Sequence, residues 1–396
     1  MNGNKSMVKS ITLYGSNISY FTGKMENYFR VRGIPYQLKS MQFPAFKKRM
    51  EAEVGLHQMP AVILPDGRWM TDTTKMIQWF ESQFPENKII PDDPVQAFLC
   101  LLIEDWADEW WWRAAMHYRW DYREGADFAS RHLAIELLGS ITAPIWVKKI
   151  FLKYRQRKGY TIGDGVTSQN AEQIEVDFKM LLENLEKIFA QRGFLLGERP
   201  SLADIGLAGP FFRHFALDPV PAEILKKDSP QVFNWVSRLW STKILDCPEK
   251  LMISVPDDLE PLFQQIGSTY LPYLCANVDA VSANKKRFEF EVGGISFKGA
   301  RYSKYRVWCL KELRHNYEIL PRKEKEVVRH LLKKTGCWEP LWRQSELPLS
   351  KNQDNLLPFK GHTKMVGVYE TKKHWLLVSF TSKPIMTPNT NQSTKL

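Results

Sequence analysis

The order of hydrophobic patterns in the first part of the chain limits the possible folds more than any other feature. Residues 8–15 alternate as a strand, a helical repeat follows and ends at Gly33, and residues 36–41 predict a second strand. Two apolar runs then flank a Pro-Asp-Gly turn at 65–67, and an amphipathic helix follows over 73–84. The order β-α-β and then β-β-α indicates a small domain with a mixed sheet.

The patterns after this first domain change twice. From Asp92 to about Cys247 nearly every segment has helical spacing, which predicts an all-helical domain. Residues 288–297 then alternate around a Gly-Gly pair, which predicts a β-hairpin, and two helices follow over 304–317 and 322–334. Beyond Gln344 the sequence is polar and irregular, except for an apolar run at 375–380.

The positive charge of the chain is concentrated in its C-terminal part. The 396 residues carry a net charge of +11, and residues from Ala276 onward contain 23 Lys and Arg against 11 Asp and Glu. The preceding residues are nearly neutral, so this asymmetry supports a domain boundary. The sequence predicts a mixed-sheet domain, a helical domain, a basic α+β extension and an irregular or partly disordered tail, at 8–88, 92–250, 276–345 and 346–396.

Cysteine usage and the lack of a leader pattern suggest a reducing compartment. The N-terminal residues contain no apolar stretch of the kind a signal peptide needs, and charged residues interrupt the apolar stretch at 132–152. The expectation is therefore a cytoplasmic protein without a transmembrane segment. The cysteines are odd in number and lack metal-ligand spacing, which disfavours both a disulfide framework and structural zinc: Cys100, Cys247, Cys275, Cys309 and Cys337.

Four short segments together carry a family resemblance. Residues 13–24 (LYGSNISYFTGK) join a strand to a helix, and 58–62 (QMPAV) begin a strand. Residues 71–73 (TDT) and 201–205 (SLADI) stand at helix starts, the latter as a capping box. In this order and spacing they resemble the cytosolic glutathione transferases. The resemblance implies a thioredoxin-like α/β N-terminal domain followed by an all-helical domain, here with a small basic α+β extension.

The resemblance assigns the catalytic role to Ser19. A hydroxyl at a helix N-terminus can donate a hydrogen bond to a thiolate, and the free N–H groups of the helix add positive potential. Both effects lower the pKa of a bound thiol and increase the amount of nucleophile at neutral pH. Tyr20 replaces the proline that usually follows this position, and Tyr14 and Tyr20 are alternative hydroxyl donors.

The resemblance also assigns the residues that hold glutathione. A cis proline, Pro60, exposes the backbone of Met59, which in the family pairs with the cysteinyl backbone of glutathione. Asp72 and Thr73 would hold the γ-glutamyl end at a helix N-terminus, where N–H groups favour a carboxylate. Gln58 is the fifth residue of this predicted set, and it stands where many members carry Lys or Arg.

An aromatic helix at 105–120 has two interpretations. The resemblance places it at the fourth helix, which flanks the dimer interface and the site of the hydrophobic substrate, so Trp110, His117 and Tyr118 join Tyr14 and Tyr20 as candidate pocket residues. The alternative is that most of these tryptophans pack between helices.

The leading functional hypothesis is a homodimeric glutathione-dependent transferase. Glutathione would be a cosubstrate attacking a hydrophobic small-molecule electrophile, with no metal or tightly bound cofactor. The alternative is a non-catalytic scaffold of the same fold that binds a partner through its basic extension. Isomerisation, dehalogenation or ether cleavage at the same site also stays open. Nucleic-acid binding is disfavoured because acidic residues are interleaved with the basic ones of the extension.

Overall fold

The computed structural model describes residues 10–248, 251–252, 254–349 and 356–361. The apolar run at 375–380 and most of the predicted tail lie outside the described residues. The domain limits inferred from the sequence stay predictions, whereas the fold class is confirmed by the elements below.

The first unit contains a four-stranded mixed sheet with helices packed against it. Strand β1 pairs parallel with β2 and antiparallel with β3, and β4 pairs antiparallel with β3, which gives the order β2-β1-β3-β4. This topology is the predicted thioredoxin-like arrangement. The elements are β1 (Ile11–Gly15), α1 (Tyr20–Arg32), β2 (Tyr36–Ser40), α2 (Ala45–Val54), β3 (Ala61–Ile63), β4 (Trp69–Thr71) and α3 (Thr73–Gln83).

Local signals explain where several of these elements begin and end. Gly33 adopts φ 68° directly after α1, and its N–H donates hydrogen bonds to the carbonyls of Arg30 and Phe29. This is the geometry of the predicted C-cap. Gly67, in the turn between β3 and β4, also has positive φ, 92°. This conformation is one that glycine adopts with little steric cost.

A short C-terminal segment covers the free edge of this sheet. Strand β4 lies at the edge, and the Thr71 N–H donates to the Pro358 carbonyl at 2.9 Å. Further along the segment, the Gly361 N–H donates to the carbonyl of Val54 at 2.8 Å. Residues 356–361 therefore bind the Thr71 N–H, which an edge strand would otherwise expose, and also contact the end of α2.

The second unit is all helical and surrounds a large aromatic core. The buried faces include Trp106, Trp111, Phe178 and Trp235. The capping box at 201–205 is confirmed. Its helices are α4 (Pro94–Glu109), α5 (Trp112–Trp120), α6 (Arg123–Glu136), α7 (Ile145–Gln156), α8 (Ala171–Phe189), α9 (Leu202–Pro210), α10 (Pro219–Asp228) and α11 (Pro230–Ser241).

The extension contains the predicted hairpin and the two predicted helices. Its elements are α12 (Glu260–Gln265), α13 (Leu271–Ser282), β5 (Arg287–Val292), β6 (Ile295–Arg301), α14 (Lys304–Glu318), α15 (Arg322–Lys334) and α16 (Trp338–Trp342). The inner face of the hairpin buries Phe288, Phe290 and Phe297. The guanidinium of Arg113 on α5 lies 5.5 Å from the Phe297 ring centre, so the hairpin packs directly on the helical unit.

Helix α4 lies between the rest of the helical unit and the extension. One side packs against α9, and the other is covered by α14 and α15.

No helix in the described part of the chain has the length and hydropathy that a membrane span requires.

The buried carboxylate of Asp204 offers a test of the helical unit. It accepts hydrogen bonds from the backbone N–H of Leu195 and Ser201 at 3.0 and 2.9 Å, and from the Trp235 indole at 3.2 Å. Asp204→Ala leaves these buried donors without partners, so we expect the free energy of unfolding in urea to fall by about 3 kcal/mol. The control is Asp93→Ala, which removes an exposed N-cap of α4 and should cost only about 1 kcal/mol. Equal losses would contradict the prediction.

Candidate functional site

The register of the sheet gathers the predicted glutathione residues at one end. Tyr14 pairs with Ala61 and Ala61 pairs with Thr71, so the residues after β1, before β3 and after β4 are neighbours. The Thr71 hydroxyl donates to the carbonyl of Pro60 at 3.2 Å, which joins two of these segments directly. Ser19 follows β1, Met59 precedes β3 and Thr73 follows β4, each by only a few residues.

Ser19 is the N-cap of α1 and is half-buried. Its backbone is extended, with φ −87° and ψ 132°, and Oγ accepts from the Thr22 N–H at 3.4 Å. A hydroxyl that accepts from the helix keeps its own proton to donate outward. The arrangement therefore offers one O–H donor at the positive end of a helix, which is the chemistry that stabilises a thiolate.

The loop before Ser19 is held by a carboxylate from α6. The Ser16 hydroxyl donates to Glu136 at 2.5 Å, and the Asn17 backbone and side-chain amides each donate at 3.0 Å to the same carboxylate. Sequence reasoning missed this contact, because Glu136 interrupts an apolar stretch and gives no other signal. The contact fixes the strand-to-helix loop against the helical unit.

The segment that begins β3 has the predicted conformation. The Met59–Pro60 peptide is cis, and Gln58 and Met59 are both half-buried. His57 precedes them, and burial, aided by the charges of Lys47 and Arg155, lowers its pKa to about 4. This imidazole is therefore neutral at physiological pH.

Asp72 caps α3 but its carboxylate is already bound. It has φ 72°, an uncommon conformation for a residue with a side chain, and is 3% exposed. One carboxylate oxygen accepts from the Lys75 N–H at 3.1 Å and the other from the Tyr305 hydroxyl at 2.7 Å. Burial raises the pKa of Asp72 against the opposing effect of these hydrogen bonds. Thr73 beside it is 6% exposed.

Helix α14 of the extension makes this contact and covers the start of α3. Besides the Tyr305 bond, Glu312 on α14 pairs with Lys75 at 2.5 Å, and Lys75 lies 5.0 Å from the ring centre of Trp308. Sequence reasoning did not place the extension here. The mixture of aromatic and basic residues in it was the only available signal, and it does not indicate which surface the helix covers.

A buried ionic network lies beneath the site. Lys24 on α1 contacts Glu104 and Asp108 on α4, and the Thr74 hydroxyl donates to Glu104 at 2.6 Å. Burial alone would lower the pKa of Lys24, but the two carboxylates raise it above its ordinary value. The ammonium is therefore charged at neutral pH, although it is fully enclosed.

The extension continues this network with Arg306 on α14. Its guanidinium pairs with Glu109 at 2.7 Å and with Asp164 at 3.2 Å, and both contacts are largely enclosed. Beside them, burial raises the pKa of Asp105 to about 8, with the carboxylate bound by the Tyr270 hydroxyl at 2.6 Å.

Three of the candidate pocket residues face α8 rather than the sheet end. The Trp110 indole donates to Asp177 at 2.9 Å, and His117 contacts Asp121 and Glu175, each at 2.9 Å. Tyr118 is enclosed between Tyr122, Phe178 and Phe215. This geometry favours the packing interpretation for the aromatic helix, and the pocket roles stay predictions.

The two candidate tyrosines have different surroundings. Tyr20 is 1% exposed, and its hydroxyl donates to the Ala107 carbonyl at 2.5 Å, so this donor is already used. Tyr14 is half-buried against the ring of Phe46, with ring centres 4.6 Å apart. The Tyr20 hydroxyl hydrogen is therefore occupied, whereas Ser19 and Tyr14 both remain candidate donors.

A second aromatic group lies near Ser19 and was not among the predicted pocket residues. Phe21 stacks on Trp112 with ring centres 5.9 Å apart, and Trp112 meets Tyr160 edge-on at 5.4 Å. All three residues are partly accessible. Trp112 belongs to the same aromatic run as Trp110, but helical spacing alone did not distinguish the accessible face from the buried one.

Two domain families match the sequence. The N-terminal domain of glutathione S-transferases matches residues 13–88, and their C-terminal domain matches residues 168–238. The chain therefore contains sequences of both glutathione S-transferase domains, and neither match covers the extension beyond residue 238. No curated protein matches the chain.

The solved structures that match the chain are distant in sequence. A glutathione S-transferase from Rhodospirillum rubrum F11 is 17% identical, covers 59% of this chain and 89% of its own, and has a TM-score of 0.39. The β-etherase of Sphingobium sp. strain SYK-6 is 18% identical over 60% of this chain and 97% of its own, with a TM-score of 0.41. The family resemblance rests on the two domain matches.

The ionic network predicts a large effect of a single substitution. Lys24→Met removes the enclosed cation and leaves Glu104 and Asp108 without it, so we expect the free energy of unfolding to fall by about 3–5 kcal/mol. Adding Glu104→Gln and Asp108→Asn to the variant removes the uncompensated charges and should restore most of the loss. A triple variant as unstable as Lys24→Met would contradict this account. Urea unfolding of the three proteins measures both effects.

The lowered pKa of His57 predicts a pH dependence of stability. Between pH 6.5 and about 4 the unfolded chain binds a proton at His57 that the folded chain does not, so stability falls on acidification. From pH 7 to 5.5 the wild type should lose about 1 kcal/mol more than His57→Gln in urea unfolding. His330→Gln, at an exposed position, is the control. A wild type and His57→Gln that lose equal stability would show that His57 titrates normally.

Proposed function

We propose that the chain is a glutathione-dependent transferase that conjugates glutathione to an apolar electrophile. The observation that carries the proposal is the half-accessible Ser19 N-cap at the same sheet end as the cis Met59–Pro60 peptide. The N-terminal domain match supports glutathione as the cosubstrate. In this proposal Ser19 donates its hydroxyl hydrogen to the thiolate, and the N-terminus of α1 adds positive potential.

The proposed binding mode uses the backbone more than charged side chains. Met59 supplies backbone groups for the cysteinyl part of glutathione, and Thr73 with the first N–H groups of α3 receives the γ-glutamyl carboxylate. Asp72 takes a supporting role, because both of its carboxylate oxygens already accept hydrogen bonds. Gln58 offers an amide but no positive charge, so the predicted affinity is modest.

The proposed position of the second substrate follows from accessibility. Phe21, two residues after Ser19, forms a partly accessible aromatic group with Trp112 and Tyr160. A flat apolar electrophile would gain contact area there, whereas Trp110 and Tyr118 are buried.

The predicted homodimer and cytoplasmic location both remain proposals. The resemblance places the dimer interface beside the fourth helix, and in this chain α14 and α15 also contact α4.

Calorimetric titration with glutathione tests the proposal directly. Wild type should bind in the micromolar to millimolar range, and Thr73→Ala should weaken binding, because it removes a polar contact at the start of α3. Ser19→Ala should retain binding but lower kcat with an electrophilic substrate by about 10²–10³, the usual effect of losing one preorganised donor. The exposed Ser82→Ala is the matched control and should behave as wild type. No heat of binding at millimolar glutathione would overturn the enzyme proposal.

One observation favours the scaffold alternative. The Tyr305 hydroxyl donates a hydrogen bond to the Asp72 carboxylate, and α14 covers the start of α3. If glutathione does not bind, the chain would serve as a non-catalytic scaffold that binds a protein or another partner through its basic extension. The titration above distinguishes the two functions.

A further inference from the structure

Helix α7 presents an apolar stripe to solvent. Trp146, Ile150 and Tyr154 recur every four residues on one face, with exposed fractions of 62%, 61% and 64%. The neighbouring Ile145 is also exposed. Surface helices of soluble domains normally turn such a stripe inward, and this helix instead buries Leu152 on its opposite side.

The flanks of this stripe are strongly basic. Residues 137–163 contain no Asp or Glu and six cations, namely Lys148, Lys149, Lys153, Arg155, Arg157 and Lys158. Lys149 and Lys153 share Asp127 on α6 at 3.3 and 2.6 Å, and Arg157 pairs with Asp121. Two carboxylates therefore oppose six cations. Within the described part of the chain, Arg155 and Lys158 have no ion pair, and both are exposed.

We propose that α7 docks on the headgroup region of an anionic lipid membrane, with Trp146, Ile150 and Tyr154 entering the interface. Helices with this combination of apolar and cationic faces lie in the plane of a membrane surface. Trp and Tyr suit the boundary between headgroups and hydrocarbon, because each has an apolar ring and a polar atom. The flanking cations would contact the negative headgroups.

The charges and side-chain types select a membrane over other partners. A second copy docking on the same face would bring two sets of six cations together, which is unfavourable. Single-stranded nucleic acid would satisfy the cations and stack on Trp146, but it offers no apolar layer to the isoleucines. The proposal does not depend on glutathione chemistry, so it stands or falls separately from the proposed function.

Vesicle co-sedimentation of the full chain tests the proposal. The probes are vesicles of phosphatidylcholine alone and of phosphatidylcholine with about 30% phosphatidylserine, whose negative surface attracts basic segments. The chain should bind the mixed vesicles, bind the neutral ones far less, and be released at about 0.5 M salt, where charge interactions are screened within a few ångströms. Absence of binding to the mixed vesicles overturns the proposal.

Two variants and a matched control show whether α7 is the surface involved. Trp146→Ser with Ile150→Ser removes the apolar stripe, and Arg155→Glu with Lys158→Glu reverses the two exposed cations. Each pair should weaken binding to the mixed vesicles by about tenfold or more. The control pair, Val176→Ser with Met180→Ser, removes exposed apolar residues from α8, where Glu172 and Glu183 are nearby, and should bind as wild type.

Thermal unfolding must show that every variant is folded, and this is expected because all the substituted positions are exposed. A stripe variant that binds as wild type, or a control that loses as much binding, overturns the assignment to α7. Sedimentation velocity measures whether the chain self-associates, which is the remaining possibility. A chain that self-associates through Trp146 and Ile150 but ignores vesicles would show that this face pairs with a second copy instead.

Discussion

The burial of Lys24 between Glu104 and Asp108 is the interaction on which the arrangement of the three units depends. It joins α1 of the first unit to α4 of the helical unit, and Arg306 joins the same helix to the extension through Glu109. Enclosed charges of this kind are costly unless each is paired. The units therefore keep one relative arrangement, since any shift between them would leave a charged group without its partner.

The fold was largely predictable from the sequence because its signals are local. The capping box at 201–205, Gly33 after α1 and the Gly293-Gly294 turn of the hairpin each fix an element within a few residues. The position of α14 was not predictable, because Tyr305 and Asp72 are 233 residues apart. Periodicity indicates that a helix has a buried face, but it does not identify the surface that the face contacts.

The candidate site was only partly predictable for the same reason. Motif order brought Ser19, Pro60 and Thr73 to one sheet end, and the register of the strands explains why. The sequence could not show which of Trp110 and Trp112 is buried, since both belong to one aromatic run. In the structure Trp110 faces α8, whereas Trp112 is partly accessible. Their accessibility depends on neighbours distant in the sequence.

The pairing of Pro358 with Thr71 has a consequence for how this chain tolerates shortening. Strand β4 is a sheet edge whose backbone is capped by residues 356–361, although these residues lie far from the first unit in sequence. A polypeptide ending before Leu356 would keep the whole helical framework but present an uncapped strand, and such an edge is a template for pairing with other chains. The last few described residues should therefore lower the tendency of the first unit to aggregate, independently of any ligand.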